Sequence, residues 1–337
     1  MSRKHSNISI FVPHIGCPNK CSFCNQRYIT GVCKGPGAED VGAAAAAAQS
    51  SKGYDPATTE IAFFGGSFTA ISKEYMTSLL ERAKLYIDEG LFEGIRVSTR
   101  PDCIDEEILT VLKEYGVTSI ELGCQSMSDE VLLKNGRGHT SEDVVKSAKH
   151  IKSYGFELGV QMMTGLYGES DEESIKTAEK LIALSPDTTR IYPTVVLEGT
   201  QLCELYENGE YKPQTVDEAA ELCARLIPMF EEKGIRIIRL GLHSGGNVED
   251  GFVAGAYHPA FKEICESKIY LREILNIIEK ENIPKGNITL TVNRKCVSAL
   301  VGQKRCNIEK LRSMGYVCNI EQNETHKKYE VSVRLTK

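Results

Sequence analysis

The chain has 337 residues, 41% apolar and 26% charged, the make-up of a soluble globular protein with room for one large domain and a small one. No run of 18 apolar residues occurs, which excludes a spanning helix; the opening MSRKHSNISIFVPHIG has too short an apolar stretch for a signal peptide, so a cytoplasmic protein is expected. The formal net charge of −6 is unevenly spread: residues 285–337 carry 11 Lys and Arg against 4 Asp and Glu, a local +7 that leaves −13 elsewhere and suggests a tail module for an anionic partner.

In chain order the candidate strands are Ile8–Pro13, Glu60–Phe64, Gly94–Thr99, Thr118–Gly123, Glu157–Met163 and Arg190–Val195. Helical patterns cover Val41–Ser50, with its alanine run from Ala43 to Ala48, then Lys73–Glu89, Glu106–Tyr115, Ser141–Tyr154, Glu172–Leu184 and Val216–Lys233. Strand followed by helix, repeated six times, predicts an α/β fold: a partial (βα)6 barrel of parallel strands with its chemistry at their carboxyl ends. A connecting helix is expected over Phe261–Glu281, and Pro284–Gly286 reads as a linker. The expected organisation is a barrel over residues 1–260, a connection over 261–284 and a small basic domain over 285–337.

Twelve cysteines are many for a chain without an export signal, and a disulfide framework is not expected. Nine are scattered singly and read as small buried hydrophobes. The other three, Cys17, Cys21 and Cys24, follow the first strand directly at the spacing C-x3-C-x2-C. Thiolates this close can converge on one soft metal centre. A [4Fe–4S] cluster held by three thiolates leaves one iron open to the amino and carboxylate groups of S-adenosylmethionine (SAM). Electron transfer then cleaves the sulfonium to a 5′-deoxyadenosyl radical that abstracts hydrogen from a substrate. A four-thiolate zinc site using Cys33, or an electron-transfer cluster, are the alternatives. Phe23 can pack on the cofactors or belong to the core.

Further motifs carry a resemblance: FFGGSFT from Phe63 to Thr69, STRPD from Ser98 to Asp102, ELGCQS from Glu121 to Ser126, NGRGHT from Asn135 to Thr140, MMTGL from Met162 to Leu166, and IYPT from Ile191 to Thr194 with EGT from Glu198 to Thr200. In order and spacing, roughly residues 8 to 260 resemble the radical SAM half of the elongator-complex catalytic subunit, and more closely the short bacterial proteins related to it. The resemblance implies that Gly65, Gly66 and Ser67 take the amino end of SAM, where absent side chains permit close approach. It also implies that Gln125 and Ser126 contact SAM, that Arg137 clamps its carboxylate, and that Gln161 and Tyr192 face its ribose and adenine. Ser98 stands where the related oxygen-independent coproporphyrinogen oxidases carry a carboxylate facing SAM. Arg100-Pro-Asp reads equally as a turn with an Asp helix cap, His139 as structural, and Met163 and Leu166 as adenine wall or core. The chain is expected to lack the subunit's acetyltransferase domain, so use of acetyl-CoA is not carried over.

Residues Asn287–Leu335 read as strand, helix, turn, helix, strand, strand. The turn at Gly302, Lys304 and Arg305 resembles that of a KH-type RNA-binding module, with Arg305 replacing its second glycine. The alternative is a tail that caps the barrel or makes a dimer. The function expected is thus a radical SAM enzyme modifying RNA, most simply tRNA, served by an electron donor of the flavodoxin or ferredoxin type. A small porphyrin-like substrate, or a non-catalytic cluster- or haem-carrying chaperone, are the competing readings.

Overall fold

The computed structural model describes residues 5–13, 17, 20–25, 28–29, 31, 35–242 and 248–336. These divide into two compact units: Met1–Pro213 with Met229–Ala256, and Gln214–Pro228 with Tyr257–Lys337.

The first unit is built on seven parallel strands: β1 (Ser6–Val12), β2 (Thr59–Gly65), β3 (Gly94–Thr99), β4 (Val117–Gln125), β5 (Glu157–Thr164), β6 (Thr188–Pro193) and β8 (Arg236–Leu240), hydrogen-bonded in that order. Strand follows helix in the expected alternation, with α1 (Ala38–Gln49), α2 (Lys73–Asp88), α3 (Glu106–Glu114), α4 (Asp129–Lys134), α5 (Ser141–Ser153) and α6 (Asp171–Ala183) between the strands. The six expected strands become seven. The added one, RIIRL, is flanked by arginines that break the apolar signal, and it pairs with β6. A short antiparallel pair, β7 (Val195–Leu197) with β9 (Phe252–Gly255), completes the unit beside α7 (Gln201–Glu207) and α9 (Val248–Gly251).

Local chemistry fixes the helix starts. The Ser72 hydroxyl accepts from the Tyr75 amide, Asp105 from the Ile108 amide, and Thr140 and Ser170 make reciprocal boxes with Asp143 and Glu173. The cap of α3 is therefore Asp105, whereas Asp102 binds Arg100 instead. Ile61, Phe63, Ile95, Val97, Ile120, Leu122 and Leu158 are fully buried on the strands. Alternate positions of the same strands carry charge, which sets up the site described next.

The second unit holds the long helix α10 (Phe261–Lys280), a three-stranded sheet in the order β11 (Tyr316–Gln322), β10 (Gly286–Val292), β12 (Val331–Leu335), and the helices α11 (Val297–Val301) and α12 (Cys306–Ser313). β10 runs parallel to β11 and antiparallel to β12. Tyr270, Ile274 and Ile278 of α10 form one apolar core with Ile288, Leu290 and Val292 of β10. The unit boundary falls inside α8 (Val216–Glu231), at Pro228, which lacks a backbone donor.

Candidate functional site

The carboxyl ends of the strands open on a cavity of about 690 Å³ within the first unit. Cys17, Cys21 and Cys24 all line it, half-buried and outside any disulfide. Cys33, the thiol needed for a four-thiolate zinc site, lies outside the described residues. Burial pushes the Cys17 thiol up.

The cysteine loop is tied down from two sides. The Ser22 amide donates to the Asn135 carbonyl at 3.0 Å, and the Ser22 hydroxyl to the Asn135 side chain at 2.8 Å. The Leu202 amide at the start of α7 donates to the Ser22 carbonyl at 2.8 Å, and the Asn25 side chain donates to the Glu198 carbonyl at 2.9 Å. At Gly136, φ is +62° and a β-carbon would stand 3.0 Å from the Lys20 carbonyl oxygen, so the turn requires glycine. Arg137, on that turn, reaches the Cys21 sulfur at 3.2 Å with Nη1 and the Gly123 carbonyl with Nη2. Arg100 holds Asp102 through two 2.9 Å bonds and also reaches the Arg137 carbonyl. Among the described residues Arg100 Nη1 and Arg137 Nε are buried without a partner. Buried donors of this kind call for an anionic acceptor.

Strand β4 ends in a bulge at Cys124, after which Gln125 takes a left-handed φ of +66°. Gln125 turns into the cavity, where its carbonyl oxygen accepts from Gln161 at 3.3 Å. The same bulge turns Ser126 away. Its hydroxyl lies against Glu169 at 3.2 Å and Thr177 at 3.3 Å, fully buried and off the cavity wall. Ser126, expected to contact SAM, is thus not among the residues whose side chains are brought to the cavity. His139 is buried beneath the bulge and faces the Cys124 carbonyl at 3.2 Å; burial and the two arginines hold it down at about 4, a neutral structural group.

Gly65, Gly66 and Ser67 line the cavity at the end of β2. A β-carbon on Gly66 would meet the Pro13 carbonyl at 3.1 Å. The Ser67 hydroxyl is engaged with Thr99 at 2.8 Å and the Arg100 amide at 3.3 Å, so it braces the wall. Ser98, Gln161 and Tyr192 line the cavity as well. Met163 and Leu166 form an apolar cluster with Val131, against which Phe23 and Tyr192 pack. This gives the cavity a flat hydrophobic side beside its polar one.

Below these groups the lumen is ionic, and no sequence motif announced it. Arg96, only 1% exposed, meets Glu60 at 2.6 Å, Glu157 at 2.9 Å and Glu121 at 3.4 Å. Arg190 grips Glu121 through two bonds of 2.6 and 2.9 Å, and His5 meets Glu60 at 2.8 Å. Burial alone would raise the Glu60 carboxyl, but the hydrogen bonds of His5 and Arg96 and the Arg96 charge overcome it and hold it at about 2. The available signal was one charge on each of the strands β2 to β6: Glu60, Arg96, Glu121, Glu157 and Arg190.

In the second unit, Gly302, Lys304 and Arg305 form the turn between α11 and α12, with φ of +78°, +51° and +64°. A β-carbon on Gly302 would stand 2.5 Å from the Cys306 sulfur and 2.7 Å from the Ser267 hydroxyl. Buried Asn307 bonds the Ser267 and Leu300 carbonyls at 2.8 and 2.9 Å and fixes the turn. Arg305 adopts the left-handed backbone that a glycine would take freely, and both basic side chains are exposed.

A radical SAM superfamily model matches residues 11–181, half of the chain, and a radical SAM C-terminal domain matches residues 186–271. The tRNA uridine(34) acetyltransferase of Methanocaldococcus jannaschii is 31% identical over 190 residues, 50% of this chain and 35% of that protein. Human Elongator complex protein 3 is 29% identical over 197 residues, 52% of this chain and 36% of that protein. The chain spans about a third of the length of these curated relatives. The solved archaeal Methanocaldococcus infernus Elp3 with its N-terminus deleted shares the fold, with a TM-score of 0.61 at 22% identity over 83% of this chain and 66% of that one. The sheet, the cavity at its carboxyl ends and the match over half its length agree: the chain belongs to the radical SAM superfamily, whose members bind a [4Fe–4S] cluster and SAM.

Proposed function

We propose that this chain is a radical SAM enzyme that modifies RNA, most simply tRNA, with Cys17, Cys21 and Cys24 holding the cluster. The observation that carries the reading is one cavity in which three thiols, two under-satisfied arginines and an apolar wall come together. Among the described residues no three His, Cys, Asp or Glu side chains gather closely enough for a single metal ion. Three thiols at the spacing C-x3-C-x2-C on one cavity wall are a donor set of the kind that holds a [4Fe–4S] cluster. The cluster, when bound and reduced, supplies with SAM a 5′-deoxyadenosyl radical.

The chain's own residues would do the following. Gly65 and Gly66 admit the amino end of SAM at the strand edge. Arg137 stands between a cluster sulfur and the place of the SAM carboxylate. Gln125, Gln161 and Ser98 offer hydrogen bonds to hydroxyls, and Met163 with Tyr192 shields the adenine from water. Gly302, Lys304 and Arg305 meet RNA phosphates, and the local charge of +7 supports that role. The RNA substrate itself rests on relatives named for tRNA modification and the elongator complex. No helix among the described residues is long and apolar enough to cross a membrane; we place the enzyme in the cytoplasm, with an electron donor of the flavodoxin or ferredoxin class.

Mass spectrometry of tRNA nucleosides from a strain lacking the gene tests the reading. One nucleoside should disappear and return with the wild-type chain but not with Cys21→Ala. Unchanged nucleosides, together with 5′-deoxyadenosine formation by the purified protein, would move the substrate to a small molecule. Purified protein that holds its cluster yet never cleaves SAM would make it a carrier.

A further inference from the structure

Arg100, Arg137, Arg190, Arg236 and Arg239 line the cavity, whereas Glu121 is its sole carboxylate among the described residues. Four of the five arginines are engaged. Arg100 holds Asp102, Arg137 reaches Cys21, Arg190 grips Glu121, and Arg236 lies 3.4 Å from Glu157. Glu121 is itself shared, since Arg96 also approaches it at 3.4 Å.

Arg239 differs. Among the described residues its one hydrogen bond runs from Nε to the Gly241 carbonyl at 3.1 Å, and none of their carboxylates pairs with it. Its position is produced by a register shift. Thr189 of β6 pairs with Ile237 of β8, yet the next residue, Arg190, pairs with Arg239, so Ile238 is the extra residue of a bulge. The bulge makes Arg239 the backbone partner of Arg190 on the neighbouring strand. Both residues line the same cavity, in the row that contains Gln161. Arg190 has Glu121 as its counter-ion, whereas Arg239 brings to the cavity a charge that an anionic ligand would neutralise.

We propose that Arg239, opposite Arg190 on the β6–β8 seam, seats an oxyanion of the substrate within the barrel. The proposal rests on the RNA reading only for the source of that oxyanion, which would then be a nucleotide phosphate; a carboxylate would bind the same guanidinium pair. The seat would fix the orientation of the substrate in the cavity, so it acts in positioning and selection.

The test uses the full chain with its cluster reconstituted and SAM present, under anaerobic equilibrium dialysis. Uridine 5′-monophosphate is the phosphate probe, uridine the uncharged control and succinate the carboxylate probe. The nucleotide should bind at least tenfold more tightly than uridine. Arg239→Gln should erase that preference, and Arg239→Lys should restore part of it. Arg239-dependent binding of succinate but not of the nucleotide keeps the seat and sinks the RNA reading. Equal binding of all three probes, or a preference that survives Arg239→Gln, overturns the seat whatever the tRNA nucleosides show.

Discussion

At the scale of single residues, the lumen is governed by paired charges. Removing Arg96 would leave buried Glu60 with only His5 as a charged partner and Glu121 with Arg190 alone, and breaking such a buried ion pair typically costs about 3–5 kcal/mol. Arg96→Ala should therefore lower the unfolding free energy by about that much, and the titration of Glu60 should move upward in the variant. Wild-type stability should also fall with acid, by a sign that can be worked out. Glu60 titrates at about 2 when folded against an ordinary 4.5, so its contribution is present above pH 4.5 and is lost as pH falls towards 2. His139, held at about 4 against 6.5, favours its neutral folded form, so stability is lost as pH falls from 6.5 towards 4. Glu169 runs the other way. Burial raises it to about 7 despite hydrogen bonds from Leu166 and Ser126, so stability is lost as pH rises from 4.5 to 7. Glu169→Gln should flatten that limb of a stability-against-pH curve measured by urea unfolding. The sequence made the cysteines and the motif glycines legible because their spacing is local. The ionic lumen was not legible. Glu60, Arg96, Glu121 and Arg190 sit on four separate strands, and each alone reads as an ordinary surface charge.

At the scale of elements, the bulge at the end of β4 does two things with one extra residue. It aims Gln125 into the cavity and sends Ser126 to Glu169 and Thr177. A left-handed backbone at a non-glycine residue costs about 1–2 kcal/mol. Gln125→Gly should recover about 1 kcal/mol of stability while weakening SAM binding several-fold; a gain in both would show that Gln125 is only a structural turn. The motif ELGCQS suggested two adjacent SAM contacts because a sequence cannot display a register shift. The eighth strand was missed for a related reason. RIIRL is short, its arginines look solvent-facing, and its bulge hides the alternation. Helices were read more closely because their caps are local: Ser72, Asp105, Thr140 and Ser170 start them within one or two residues of the expected positions.

At the scale of the whole molecule, the α/β alternation and the basic tail were visible from periodicity and charge, whereas the seven-strand count needed the pairing itself. Among the described residues the parallel sheet does not close on itself: β1 has only β2 as a partner, and β8 only β6. Each outer strand leaves one row of backbone groups outside the ladder. Amide hydrogen exchange should therefore be slowest in β3, β4 and β5 and markedly faster in β1 and β8; uniform protection across all seven would contradict this. The first strand leads into the cysteine loop and the last carries Arg239, so both outer strands border the chemistry. An unlatched stave on each side leaves the wall room to breathe where a substrate would enter and depart, without melting the staves between them.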